Sequence, residues 1–147
     1  MAMRYRILWI GKTRERYIRE GIERYLGLIR PFARVETVEI REEKGKDRAR
    51  ALRRETERIF NLTESYLLLT EQGREMSSED FSEYIRKRPR ENFLIGGPYG
   101  VSDEVLEGAS DRISLSKMTF THEMARLIFL EQLYRAITII KGKRYHH

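Results

Sequence analysis

The sequence predicts an α/β fold with a mainly parallel sheet and helices on both faces. Strand-like and helix-like segments alternate five times along the 147 residues, the order that builds such a sheet. Two of the strand-like segments, residues 66–70 and 92–95, are short apolar runs of the kind found in parallel strands covered on both sides. Glycine or hydroxyl loops follow the later strand-like runs, which is how such a sheet opens a ligand crevice at the carboxyl ends of its strands.

Residues 4–10 read as the first strand, ended by Gly11 and Lys12. Over residues 15–28 and on to Ile29, apolar and aromatic residues recur at three- and four-residue steps, which predicts an amphipathic helix stopped by Pro31. Residues 35–40 alternate as a strand, and a charged loop through Gly45 leads to a helix over 48–61. The run 66–70 is the third strand and ends in the turn Glu71, Gln72, Gly73. Ser77 or Ser78 caps a helix over 79–87, Pro89 interrupts, and 92–95 is the fourth strand, followed by Gly96 and Gly97. Ser102 caps a short helix ending near Gly108, and 113–116 is the last strand. Thr119 or Thr121 opens a final helix over 123–140 that is apolar almost all round, so it must be buried. In a chain this small, a second copy is the expected cover, most simply in a twofold dimer, with a central helix of a monomer as the alternative.

A length of 147 residues sets one domain, spanning 1–147. Cysteine is absent, which excludes a disulfide framework and a thiolate metal site. No opening run resembles a signal peptide or a spanning helix, so a soluble, cytoplasmic protein is expected. Charged residues make up 35% of the chain, above the roughly 25% usual for globular domains. The net charge of +6 favours polyanionic partners. Residues 1–60 hold 17 basic against 10 acidic residues, while 61–147 hold 12 against 13. The same arginines equally fit solvated helix faces paired with glutamate at four-residue spacing, as Glu20 and Arg24 are placed to do.

Gly96 and Gly97 let the backbone approach a ligand closely, and Gly100 adds a position open to positive φ. Neither a G-x-G-x-x-G fingerprint nor a G-x-x-x-x-G-K-S/T loop is present, which argues against ordinary dinucleotide or nucleoside triphosphate binding. The segment 115–120 interleaves Ser116 and Thr119 with Leu115, Met118 and Phe120, a mixture suited to a ligand with an apolar ring and hydrogen-bonding edges. A tight turn and a helix cap explain both loops equally well. The histidines, His122, His146 and His147, have no metal-site spacing, and His122 reads as a structural hydrogen-bonder beside a helix start.

Four ordered motifs then become specific: Phe93-Leu94-Ile95-Gly96-Gly97; Leu115-Ser116-x-Met118-Thr119-Phe120-x-His122; Leu130-Glu131-Gln132-x-Tyr134-Arg135-Ala136; and Gly142-x-x-Tyr145-His146. Together they resemble the ribosomal large-subunit rRNA (pseudouridine) methyltransferase H family of the SPOUT superfamily, over nearly the whole chain. The resemblance implies a C-terminal trefoil knot over about 65–147, a homodimer, and S-adenosylmethionine as methyl donor with no metal. It also implies N3-methylation of a pseudouridine in large-subunit rRNA on the assembled ribosome. Carried over, the donor contacts are Leu69, Gly96, Gly97, Leu115, Ser116, Lys117, Met118, Thr119 and Phe120. His146, Tyr145 and Arg144 become the residues nearest the target base, with Arg135 as a further contact. Three positions depart from the family pattern: His147 where a cation is usual, Thr121 where proline is usual, and Tyr99 where a small polar or acidic residue is frequent. A neutral imidazole does not replace a fixed charge at pH 7. A non-catalytic ribosome- or RNA-binding dimer of the same fold, or a methyltransferase for another RNA base, is therefore the rival expectation.

Overall fold

The computed structural model describes residues 2–145. In chain order the elements are β1 (Met3–Ile10), α1 (Arg16–Ile29), β2 (Ala33–Ile40), α2 (Arg48–Leu62), β3 (Leu67–Glu75), α3 (Ser78–Arg86), β4 (Arg90–Ile95), α4 (Asp103–Gly108), β5 (Asp111–Ser114) and α5 (His122–Ile140). The strands form one sheet in the order β2-β1-β4-β3-β5, with every neighbouring pair parallel. The parallel α/β architecture expected from the alternation is thus the one observed.

Side chains alternate across the central strands, and each set meets its own helices. Tyr5, Ile7 and Trp9 of β1, with Phe93 and Ile95 of β4, pack under α1, α3 and α5. Leu8 and Ile10, with Leu68 and Leu94, pack under Ile59 of α2 and Val105 of α4. Leu8 sits in register with Val38 on one side and Leu94 on the other, so the centre of the sheet is apolar in both directions. Each fully buried Leu, Ile or Phe contributes roughly 1.5–3 kcal/mol relative to exposure.

The third strand is longer than its apolar run. It continues through Glu71, Gln72 and Gly73, and after an irregularity between Leu69 and Arg74 it pairs Arg74 with Ile113 and Glu75 with Ser114. Gly73 makes this possible: a Cβ there would lie 2.6 Å from the backbone N and C of Ile113. The turn expected at 71–73 is therefore strand, and Leu69 stands at the bulge rather than at a strand end. The fifth strand starts and stops two residues earlier than expected, because Ser114 Oγ donates to the Ser116 carbonyl at 2.8 Å and turns the chain.

Caps settle the other boundaries. Ser77 accepts from Asp80 N–H, and Thr121 accepts from Met124 N–H, so these residues rather than Ser78 and Thr119 start α3 and α5. At α1, Glu15 makes no side-chain cap. Glu123 of α5 supplies one instead, its Oε1 accepting from the N–H groups of Arg14 and Glu15 at 2.9 Å each. Glu20 pairs with Arg16 across one helical turn, not with Arg24.

Helix α5 fills the groove between α1 and α3. Phe129, Leu130, Leu133, Ala136 and Ile137 are fully buried, and Phe129 lies 4.8 Å from Phe93 between ring centroids. Gly21 of α1 admits Leu127, whose Cδ1 would sit 2.7 Å from a Cβ at that position. Met124 and Ile140 pack against this core from the ends of the helix, whereas Ile128 and Ile139 lie outside it and are only partly covered.

Candidate functional site

The chain leaves β4 toward α4 on one face, whereas its neighbour β3 leads to α3 on the other. Adjacent strands whose connections diverge leave a crevice beyond their carboxyl ends. A cleft of about 540 Å³ occupies that place. Its floor is Leu69 at the bulge of β3 and Ile95 at the end of β4, and its walls come from residues 70–72, 96–101 and 119–122. A side chamber of about 70 Å³ shares Leu69, Ile95, Phe120 and Ala125 and is closed by Leu115, Ser116 and Met118.

Local chemistry explains the shape. Gly97 O accepts from Gly100 N–H at 3.0 Å, and Gly100 takes φ of 73°, which closes the 97–100 turn. A Cβ on Gly96 would meet Gly100 and Val101 at 3.1 Å, and one on Gly97 would meet Ile10 at 3.1 Å. Across the cleft, Ser116 Oγ accepts from Met118 N–H at 2.9 Å and fixes the start of the 116–120 turn.

Eight of the nine donor-binding candidates converge here. Leu69, Gly96, Gly97, Thr119 and Phe120 line the larger chamber, and Leu115, Ser116 and Met118 line the smaller. Lys117 lines neither; it points outward, 84% exposed, with Nζ 3.6 Å from Glu75.

The cleft's charge opposes that of the chain. Glu71 and Asp103 line it, and among the described residues no lysine or arginine does. His122 also lines it, and burial, aided by the Arg126 guanidinium, holds its imidazole below the ordinary 6.5. It is neutral at pH 7. The walls thus present an apolar floor, backbone edges and two carboxylates, a setting for a ligand with an apolar ring and positive charge.

Residues invisible to sequence patterns brace this region. Arg126, a charge in a helix otherwise read as apolar, is fully buried. It donates to Thr13 Oγ1 at 2.8 Å and to the Ile10 carbonyl at 2.6 Å, and lies over Trp9. Burial pulls its pKa down to about 10, against the nearby carboxylate of Glu123. Burial also works against the Glu123 carboxylate, but the N–H groups of Glu15 and Arg14 outweigh it and hold that group below its ordinary value. Only the side-chain types at these positions were readable in advance, because their partners lie over 100 residues away.

Tyr145, the last described residue, is placed elsewhere. Tyr145 donates to Glu131 Oε2 at 2.8 Å, lies 3.3 Å from the Tyr25 hydroxyl, and stacks edge-on against Tyr134, with Arg135 over its ring. Arg135 also holds Glu131 at 2.7 Å. Arg144 is exposed. At 1.5 Å per residue, Glu131 is about 9 Å along α5 from Ala125 at the cleft. Tyr145, Arg144 and Arg135 are thus not gathered at the cleft of their own chain. His146 and His147 lie outside the described residues.

Among the described residues there is no cluster of three or more His, Asp or Glu able to hold a metal. No helix among them is long and apolar enough to cross a membrane.

A parallel sheet with a glycine-walled cleft beyond its central strands is the class of ligand-binding α/β domain. Residues 3–146 match the family model described as predicted SPOUT methyltransferase, and the chain belongs to that family of methyltransferases. It is 46% identical over 145 residues to the ribosomal RNA large subunit methyltransferase H of Thermodesulfovibrio yellowstonii, covering 98% of this chain and 99% of that one. The protein of the same name from Geobacter sulfurreducens is 44% identical, with 99% and 100% covered. The Cytophaga hutchinsonii relative, also of that name, is 46% identical, with 95% and 97% covered. A solved structure, a probable methylase family protein from Haemophilus influenzae, shares the fold with a TM-score of 0.57 at 12% identity, covering 94% of this chain and 66% of that one.

Proposed function

We propose that this chain is an S-adenosylmethionine-dependent methyltransferase acting on N3 of a pseudouridine in large-subunit rRNA, on the assembled ribosome in the cytoplasm, as a homodimer. The observation that carries the donor assignment is the cleft itself. An acidic-to-neutral pocket in a chain of net charge +6 suits a cationic ligand, and its volume lies in the roughly 300–1,000 Å³ range of small-molecule sites. The rRNA substrate is supported by the names of relatives similar along their full length.

S-adenosylmethionine supplies a methyl group already activated on a sulfonium. The chain's own residues bind and orient. Leu69, Ile95, Leu115 and Phe120 hold the apolar parts, the backbone of 96–97 and 119–120 meets the polar edges, and Glu71 and Asp103 balance positive charge. The bound donor would supply the methyl group to N3 and leave as a neutral thioether, and the chain's part would be to align N3 with that group and to take up the N3 proton. Alignment of this kind supplies roughly 7–11 kcal/mol of a barrier, more than the roughly 3–5 kcal/mol from a general base.

The base is assigned to His146, with Tyr145 and Arg144 beside it. Since Tyr145 is seated away from its own cleft, the tail is assigned to the cleft of the partner subunit. The dimer is supported by Ile128 and Ile139, apolar residues of α5 that the chain's own core leaves partly uncovered. The trefoil knot is supported by β3 lying between β4 and β5 while segment 115–121 returns past the bulge of β3 and the end of β4 to reach α5. Calorimetry with S-adenosylmethionine tests the donor assignment. Saturable one-site binding is expected, and no heat at millimolar ligand would overturn it.

A further inference from the structure

Among the described residues no lysine or arginine lines the cleft, so a polyanionic substrate has to be gripped outside it. Tyr99 stands on the rim, in the turn between β4 and α4, and is 60% exposed. The guanidinium of Arg48 lies 4.2 Å from the centroid of its ring. A cation over one face leaves the other open to solvent. Arg48 and Arg50 occupy the first turn of α2, which holds no acidic residue. A helix N-terminus already carries partial positive charge, so these two arginines are placed against their own backbone, an arrangement that an external anion relieves.

The surroundings do not neutralise them. Lys44, Lys46 and Arg53 extend the exposed basic strip on either side. Among the described residues none of these five cations forms an ion pair. Asp47, the acid within the strip, caps α2 by accepting from Arg50 N–H, and Glu43 is engaged by Arg58 and Arg54. Unpaired cations beside an open aromatic face are what single-stranded nucleic acid needs: phosphates meet the cations and a base stacks on the ring. An acidic protein partner would use the charges and leave the ring without a role.

We propose that Tyr99 and the basic first turn of α2 form a landing strip for single-stranded RNA at the cleft mouth. A base stacks on the free face of Tyr99, while Arg48, Arg50 and their neighbours take the flanking phosphates. The proposal rests on the RNA methyltransferase reading above and adds substrate-positioning residues to it.

The test compares Tyr99→Ala, Tyr99→Phe and the double variant Arg48→Ala/Arg50→Ala in two assays. One is labelled methyl transfer onto ribosomes; the other is titration of a fluorescent single-stranded oligoribonucleotide at rising KCl. Tyr99→Ala is expected to raise KM for ribosomes roughly tenfold with kcat within about twofold, and Tyr99→Phe to restore KM. The double variant is expected to keep donor affinity and to lower the slope of log K against log salt by about 1.4, at about 0.7 per lost phosphate contact. An unchanged KM and slope in the double variant would overturn the proposal, as would Tyr99→Phe behaving like Tyr99→Ala. If ribosome KM rises while oligonucleotide binding and its salt slope stay fixed, the strip docks protein and the proposal fails. If the wild type transfers no methyl group at all, the parent reading fails, and the oligonucleotide titration still decides the strip.

Discussion

Gly96→Ala is expected to weaken donor binding while leaving the fold intact. Gly96 does not use positive φ, so alanine is permitted by the backbone. The added Cβ would lie 3.1 Å from the carbonyl carbon and oxygen of Gly100 and from Cγ1 of Val101. Carbon contacts are optimal near 3.5–4.0 Å, so the 97–101 turn must shift by a few tenths of an ångström, and that turn is a wall of the cleft. Overpacking of this order costs about 1–3 kcal/mol, which translates to roughly 5- to 150-fold weaker donor binding if the turn absorbs it. Calorimetry reads the affinity and thermal unfolding reads the fold. Gly27→Ala is the control, because a Cβ there meets nothing within 4 Å. It should stabilise α1 by roughly 0.5–1 kcal/mol without altering donor affinity. A Gly96→Ala protein that is folded and binds the donor within about twofold of wild type refutes the placement of the pocket.

Gly73→Ala should be the most destabilising single-methyl change in the sheet. Its Cβ would sit 2.6 Å from backbone atoms of β5, which cannot swing aside as a side chain can, so at least about 3 kcal/mol should be lost in urea unfolding. Tyr145→Phe removes a hydroxyl that donates to Glu131 and contacts Tyr25. A loss of about 1–2 kcal/mol of local docking should speed carboxypeptidase release of residue 145 roughly 5- to 30-fold, and an unchanged rate would contradict the seat described. Acid should weaken the α1 cap. Glu123 has a folded pKa below its unfolded value, so its contribution is complete above the ordinary carboxylate range and is lost as pH falls through the folded value. His122 acts in the same direction, since its folded pKa lies below 6.5 and protonation favours the unfolded chain. Urea midpoints of wild type and Glu123→Gln should differ at pH 7 and converge in acid, whereas a constant gap would exclude the capping role.

Periodicity marked the ten elements because each strand and helix faces a core through residues spaced at two or at three and four. Leu67, Leu68 and Leu69 announced a strand buried on both sides, and Phe93, Leu94 and Ile95 another. The extension of β3 was hidden because Glu71, Gln72, Arg74 and Glu75 are polar; what brings the chain back to the strand is pairing of Arg74 and Glu75 with β5, a tertiary fact. The α1 cap was hidden for the same reason, since its carboxylate comes from Glu123. Glycine and hydroxyl loops after apolar runs disclosed the cleft, but not its sign. Glu71 and Asp103 belong to no motif, and only the fold sets them beside Gly96 and His122. The family resemblance placed Lys117 with its loop neighbours, yet turn geometry sends it to Glu75. Arg48 and Tyr99 are 51 positions apart in sequence, and no local pattern links them.

Labelled methyl transfer from S-adenosylmethionine to ribosomes and to free rRNA, with the modified nucleotide mapped, separates a pseudouridine methyltransferase from an RNA-binding dimer of the same fold. Label should appear in large-subunit rRNA of assembled ribosomes, at N3 of a pseudouridine, and should fall sharply with His146→Ala. A protein that binds the donor yet leaves ribosomal RNA unlabelled, or labels another base, would contradict the account.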